Sequence, residues 1–475
     1  MRRQDATDEV IPGDLLAPLV RSVIAPAWAR WEGSAYLRHY RQLLRTQFDD
    51  RETIRRRQLL AVQQLVRHAY ATTAYWKTQF DRRGIRPQDI RTLEDLRALP
   101  ILTKTDLREH QQGLVNLQRP SRPLTRKKTS GSTGVSVEVV VDEAAQQWKR
   151  ACTLRSDEWS GWRLGERVAR LWGNSGNGYR GWRGWLRRTL LDRARYLDTL
   201  RMDVTELGRF AHSLRRSPPS LLFGHAHSLY MLAEFLRARG EGAGFRARGI
   251  ISTAMSLHTW ERQTIEAVFG CPVTNRYGCE EVSLIACECE RHEGLHINAD
   301  GVYVEVLRAD GTPAGPGESG SVVVTDLVNQ AMPLLRYQVG DTAVASDRTC
   351  PCGRGLPLLE SLEGREADYV LTSEGRLISG ISLTENFAVV LPGVAQLQIV
   401  QEELDRFTFR IVRGRGFGPA SLESLARLVA ERFGQDVTYR CEFLERIPPE
   451  PSGKYRFCLS KVPKSFVGRQ EALLT

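Results

Sequence analysis

Apolar residues recur at helical spacing in the first quarter of the chain and at strand spacing beyond its middle. Between residues 51 and 68, Ile54, Leu59, Leu60, Val62, Leu65 and Val66 form such a helical pattern in a strongly charged background. Residues 92–106 read as a helix that opens at Thr92 and stops before Pro100, then a second helix capped by Thr103 or Thr105. Residues 1–110 are therefore expected to be mainly helical. Farther along, apolar runs at 221–223, 249–253 and 272–276 alternate with helical patterns at 228–239 and 257–269. That alternation predicts a mainly parallel sheet covered by helices. Beyond Gly301 the period falls to two, in 302–306, 320–326 and 341–345, with turns at Asp310-Gly311 and Gly315-Pro-Gly317. Those runs predict an antiparallel β unit. After Gly364-Arg365 the composition shifts again, which puts a boundary at 366–368 and a small α+β unit after it.

The expected fold class is thus α/β. A helical region (1–110) and a core (111–365) make the large domain, and residues 366–475 make a small carboxy-terminal one. A length of 475 residues is too much for one ordinary core. No apolar run is long enough to span a bilayer, and the stretch from Leu15 to Trp28 is broken by Pro18, Arg21 and Pro26. The expected location is the cytoplasm. The net charge of +11 comes from basic residues, nearly all arginine, scattered along the chain without a basic tail or a nucleic-acid module, so no nucleic-acid partner is expected.

Tryptophans 148, 159, 162, 172, 182 and 185 are interleaved with arginine and glycine. Packing of these rings in a core against arginine is the expected arrangement, with an aromatic pocket or a membrane-facing surface as the alternatives.

Candidate chemistry begins at residues 129–135, T-S-G-S-T-G-V. Gly131 and Gly134 allow a tight turn with amide N–H groups presented to an anion, and Thr129, Ser130, Ser132 and Thr133 add hydroxyl donors. Lys127 and Lys128 stand upstream, and 137–141 reads as a strand. The G-K-[ST] ending of P-loop NTPases is missing. Nine cysteines in so long a chain do not make a disulfide scaffold. Two C-x-C pairs, Cys287/Cys289 and Cys350/Cys352, point to metal. Cys289, His296, Cys350 and Cys352 form a candidate Cys₃His site for a structural Zn²⁺, joining the β unit to the parallel sheet, with Cys287 and His292 as rival ligands.

Four further stretches line up with the loop: Tyr277-Gly-Cys-Glu-Glu281, Arg336-Tyr-Gln-Val-Gly-Asp341, Gly364-Arg365-Glu-Ala-Asp368 and Pro451-Ser-Gly-Lys454. Their order and spacing resemble the adenylate-forming superfamily of acyl-CoA synthetases, nonribosomal adenylation domains and luciferases, over residues 70–460. L-P-I-L-T-K-T-D-L at 99–107, G-L-H-I-N at 294–298 and C-P-C-G-R at 350–354 resemble its phenylacetate–CoA ligase-like branch, with relatives linked to capsular polysaccharide synthesis.

The resemblance implies a mobile carboxy-terminal lid and activation of a carboxylic acid by ATP, releasing pyrophosphate, before transfer to CoA. It places the phosphates on residues 129–134, Mg²⁺ on Glu281, adenine against Tyr277 and Gly278, and the ribose on Asp341. Arg365 would reach the ribose or phosphate, and Lys454 would stabilise the pentavalent transition state. The acid pocket would draw on Phe223, Gly224, His225, Met255, Ser256 and Tyr277. Aromatic acids are among the candidate substrates.

Two positions depart from the family pattern. Glu280 replaces a threonine, and Ala367 stands where a hinge residue serves the second half-reaction. A ligase that uses an amine or carrier as acceptor is therefore an alternative. A degenerate nucleotide-binding scaffold is another. Nothing in the sequence sets the oligomeric state.

Overall fold

The computed structural model describes residues 14–117, 124–128, 137–173, 181–199, 202–363, 369–372, 377–379, 383, 387, 391–447 and 457–462. Its amino-terminal part is mainly helical, as the spacing predicts. Asp50 opens the helix Arg51–Thr72 by accepting the Thr53 N–H at 2.8 Å, and Ile54, Val62, Leu65 and Val66 turn inward. Residues 92–99 differ from expectation. The amides of Arg91 and Thr92 both donate to the Asp95 carboxylate, and only a short 3₁₀ segment, Glu94–Ala98, follows. Pro100 holds Leu99 extended, which leaves too few residues for an α-helix. Thr103 rather than Thr105 caps the next helix, Lys104–Glu109, in a reciprocal pair with Asp106.

A hairpin of β1 (Thr125–Lys128) and β2 (Glu138–Val141) flanks residues 129–136, with Lys128 opposite Glu138. The parallel strands are β3 (Val168–Leu171), β4 (Ala194–Leu197), β5 (Leu221–His225), β6 (Gly249–Thr253) and β7 (Val273–Cys279). The antiparallel strands are β8 (Ser283–Glu288), β9 (Leu295–Ile297), β10 (Val302–Leu307), β11 (Ser319–Asp326), β12 (Tyr337–Ala345) and β13 (Leu358–Glu363). The parallel sheet and the antiparallel β unit expected within the core are continuous, making one eleven-stranded sheet in the order β10-β11-β12-β13-β9-β8-β7-β6-β5-β3-β4. β7 joins the halves, running parallel to β6 and antiparallel to β8.

Helices Val204–Arg216, Ala226–Ala238 and Thr259–Phe269 pack on the parallel half around Leu222, Leu229, Ile250, Ile265 and Val273. The helices between residues 51 and 114 pack on the antiparallel half, with Trp76, Phe80, Val322 and Tyr337 fully buried, whereas those over 16–46 pack on Ala151, Cys152 and Leu191.

A separate four-stranded sheet, ordered β18-β17-β16-β19, uses β16 (Val394–Glu403), β17 (Arg406–Arg413), β18 (Thr438–Phe443) and β19 (Cys458–Ser460). A hairpin of β14 (Tyr369–Leu371) and β15 (Leu377–Ser379) precedes it. The helix Pro419–Phe433 covers this sheet. Phe433 stacks against Phe387 at 5.8 Å and Phe407 at 4.5 Å between centroids, within a core distinct from that of the large sheet. Phe433→Ala is expected to cost about 3–5 kcal/mol through the cavity it leaves. Urea unfolding followed by hydrogen exchange should show the small sheet opening at lower denaturant while the eleven-stranded sheet holds its midpoint.

Candidate functional site

Chemistry-bearing side chains gather where the parallel half of the sheet meets its antiparallel half. The tight passage from β7 into β8 sets the geometry. A Cβ on Gly278 would stand 2.5 Å from the Ser283 carbonyl oxygen, so only glycine fits there. This turn brings Tyr277 and Glu281 inside; both are nearly fully buried.

β12 faces them with the R-Y-Q-V-G-D stretch. Arg336 adopts a left-handed backbone (φ 48°) and is buried against Glu305, with its guanidinium also donating to the carbonyls of Arg97 and Leu99. Its own carbonyl accepts the Leu102 N–H at 3.0 Å. Arg336 is thus the anchor that lets its neighbours point at the site. The Tyr337 hydroxyl donates to Glu281 Oε1 at 2.9 Å, and the Tyr277 hydroxyl donates to Asp341 Oδ2 at 3.0 Å.

Lys104, in the first turn of the helix capped by Thr103, brings its ammonium to 3.8 Å from Glu281 Oε1. No chemistry was expected of Lys104 from the sequence. The cap at Thr103 was the available signal, because it fixes where the lysine projects. Glu281 lies in a buried turn, where its carboxylate faces the Lys104 ammonium and accepts from the Tyr337 hydroxyl.

Three expected elements, the loop Thr129 to Gly134, Arg365 and Lys454, lie outside the described residues, as do Ala367 and Asp368. The stalk of the loop is described. Burial pushes the Lys127 ammonium down in pKa, and the Glu280 carboxylate opposes that shift. The departure at Glu280 therefore puts a carboxylate within electrostatic reach of the lysine that leads into the loop.

At the carboxyl end of β5, Phe223, Gly224 and His225 are buried, and Met255 and Ser256 follow β6 half-buried. The ring of His225 lies 4.2 Å from that of Trp172 and has no hydrogen-bond partner among the described residues. Burial pushes it down to about 4, so it is neutral at physiological pH. The guanidinium carbons of Arg170 and Arg276 approach the Phe223 ring at 4.8 and 4.9 Å. Arg276 pairs with Asp157 at 2.7 Å.

Apart from Trp172, which lies beside Phe223 and His225, the tryptophans divide into two groups. Trp148, Trp159 and Trp162 direct their indole N–H groups to Asp300, Gln47 and Glu166 in or beside the core, whereas Trp182 and Trp185 are exposed.

The second constellation also assembles. Ligand atoms of Cys289, His296, Cys350 and Cys352 all lie within 4.8 Å of one another. Cys289 Sγ stands 3.6 Å from Cys350 Sγ, and Cys352 Sγ 3.3 Å from His296 Nε2. Two thiolates on a tetrahedral Zn²⁺ at about 2.3 Å would be about 3.8 Å apart, so the set fits that ion.

Supporting groups surround these ligands. His296 Nδ1 is 3.3 Å from the Leu356 carbonyl, which leaves Nε2 for a ligand. Amides of Arg291 and Arg354 donate to the Cys289 and Cys352 sulfurs. Cys352 is held well below the usual thiol range by Cys289, aided by His296. The rivals fall away, since His292 pairs with Glu288 at 3.1 Å and Cys287 lies outside the four-residue set. The set ties the β8–β9 turn to the connection before β13.

The carboxy-terminal segment 370–461 matches the family model of the CapK C-terminal domain. Protein CapK of Staphylococcus aureus is 23% identical over 386 residues, covering 78% of this chain and 81% of that protein. The phenylacetate–coenzyme A ligase of Thermus thermophilus is 28% identical over 337 residues, covering 67% of this chain and 73% of the ligase. A solved 2-hydroxyisobutyryl-CoA ligase, in complex with 2-HIB-AMP and CoA in the thioesterification state, superposes with a TM-score of 0.57. The alignment covers 88% of this chain and 92% of that one at 20% identity, which shows a shared fold.

Tyr337→Phe leaves the buried Glu281 carboxylate one donor short and is expected to cost about 1–3 kcal/mol. Thermal unfolding of wild type and variant side by side measures it, and an unchanged midpoint would contradict the buried pairing.

Proposed function

We propose that this chain, a relative of protein CapK and the phenylacetate–coenzyme A ligases with the fold of an acyl-CoA ligase, activates a carboxylic acid with ATP and passes it to CoA. A carboxylate oxygen attacks the α-phosphorus, the bond to pyrophosphate breaks, and an acyl-adenylate forms. The thiol sulfur then attacks the acyl carbon and AMP leaves.

The observation that carries this reading is the convergence of Tyr277, Asp341, Glu281, Tyr337 and Lys104 on one sheet junction. Two anions must meet in the first step, so donors and cations have to be fixed in advance. Asp341 accepts from the ribose hydroxyls, while Tyr277 and Gly278 lie along the base. Thr129, Ser130, Gly131, Ser132, Thr133 and Gly134 cradle the phosphates, joined by Arg365. Lys454 closes over the α-phosphate. Mg²⁺, a hard cation suited to carboxylate oxygen, offsets phosphate charge when Glu281 holds it.

The acid lies beside Phe223, His225 and Trp172, at the carboxyl ends of the parallel strands, where open α/β sheets bind ligands. The division at 366 follows from the same reading, since β13 ends at Glu363 and the next sheet begins at Tyr369. Ala367, in place of the hinge residue, favours an amine or carrier as a second acceptor class. The four-residue Cys₃His set holds one structural Zn²⁺ that fastens the antiparallel strands.

Exchange of labelled pyrophosphate into ATP, run with a panel of aryl and aliphatic acids, should respond to one class. Lys454→Ala and Asp341→Ala should each lower that exchange by about 10²–10³-fold. Absence of exchange with every acid would refute the reading, and hydroxylamine, CoA and amines offered in turn would identify the acceptor. Elemental analysis of protein purified without chelator should find zinc at about one per chain, lost in Cys350→Ser/Cys352→Ser together with thermal stability.

A further inference from the structure

The helical run over residues 16–31 and the helical run over 181–192 lie side by side. They share the buried cluster of Val20, Ala25, Trp28 and Leu191, and Arg187 bridges to Glu32 at 3.0 Å. What they turn outward is unusual for a water-facing surface. Leu15 is 84% exposed, Trp182 65% and Trp185 59%, and Leu16, Leu19, Val23, Trp31 and Leu190 are exposed beside them. Leu15, Leu19 and Val23 recur every four residues, opposite the buried Ala17 and Val20, so they form one outward stripe of a helix. Trp31 and Trp182 meet at 6.2 Å between centroids, and the Arg183 guanidinium lies over both rings.

The charge on this face has one sign. From Leu15 to Trp31 the charged residues are Arg21 and Arg30, and from Gly181 to Asp192 they are Arg183, Arg187, Arg188 and one acid, Asp192, which is turned inward toward Arg187, Arg150 and Arg170. The acids at the margins are engaged elsewhere. Asp14 is buried against Arg193, and Glu32 takes Arg187. Arg30, Arg183 and Arg188 remain exposed without an ion pair among the described residues.

We propose that this face docks on the surface of an anionic phospholipid membrane, lying in the interface without crossing it. Tryptophan is suited to the headgroup level, where its ring is shielded and its N–H stays wet. A stripe of leucine and valine reaches the acyl boundary, and arginines without acidic neighbours match anionic headgroups. Crossing is excluded for this element, because among the described residues no helix is long and apolar enough to span a bilayer. The inference stands apart from the ligase reading, since none of these side chains belongs to the site described above.

Flotation of the full chain with vesicles tests it. The protein should rise with phosphatidylglycerol/phosphatidylcholine vesicles and stay behind with phosphatidylcholine alone, and its binding should weaken as salt is raised. Trp182→Ser/Trp185→Ser, and separately Leu15→Ser/Leu16→Ser, should each bind about tenfold or more weakly while keeping the wild-type circular dichroism. The inference is overturned if wild type floats with neither vesicle, or if both double variants bind as it does. It is equally overturned if light scattering shows self-association through this face, abolished by the same substitutions, and no vesicle binding.

Discussion

Strand β7 is the element on which the candidate site depends, because it is paired in opposite senses on its two edges. Its parallel partner β6 places it among strands whose carboxyl ends face a common side. Its antiparallel partner β8 forces the chain to reverse at once, within reach of the Ser283 carbonyl. A turn so tight has no room for a side chain at Gly278, and it drives Tyr277 and Glu281 inward. A carboxylate brought into a core in this way needs compensation, and it accepts from the Tyr337 hydroxyl and has the Lys104 ammonium within ion-pair distance. The site is thus a consequence of strand pairing as much as of side-chain chemistry.

The Cys₃His set and the Arg336 anchor secure the strands on either side of that turn. Cys289 and His296 bracket the β8–β9 connection, while Cys350 and Cys352 come from the segment before β13. Pairing these strands buries their sulfur atoms beside Trp159 and Leu356 and gathers the four ligand atoms within 4.8 Å of one another. Arg336 acts on the other side. Its bonds to the carbonyls of Arg97 and Leu99, together with the Leu102 amide, draw the amino-terminal helices onto β12 and so bring Lys104 to Glu281. Long-range contacts of this kind hold residues 97–104 against the large sheet.

Much of this was legible from residues 221–345, where period and turn chemistry identified most strands and helices to within a few positions, although β8 and β9, just after the Glu281 turn, were not read as strands. The four ligand candidates for zinc came from their thiols and imidazole, and the structure brings the same four together. Tyr277, Glu281 and Asp341 were legible through motif order. Lys104 was not, since a lysine in a charged helix start carries no local mark of its destination. The exposed tryptophans were ambiguous for a similar reason. Trp159 and Trp182 occupy like neighbourhoods of arginine and glycine, yet one donates to Gln47 in a core and the other faces outward.

By itself the sequence determined the element types, the change from parallel to antiparallel patterning and the identity of the groups able to do chemistry, because these depend on neighbours a few residues away. The fusion of both halves into one sheet, the burial of Glu281 and its pairing with Lys104 and Tyr337 were decided only by tertiary structure. Each depends on residues far apart in the chain, and hydrophobic period carries no information about which distant strand will supply the next hydrogen bonds.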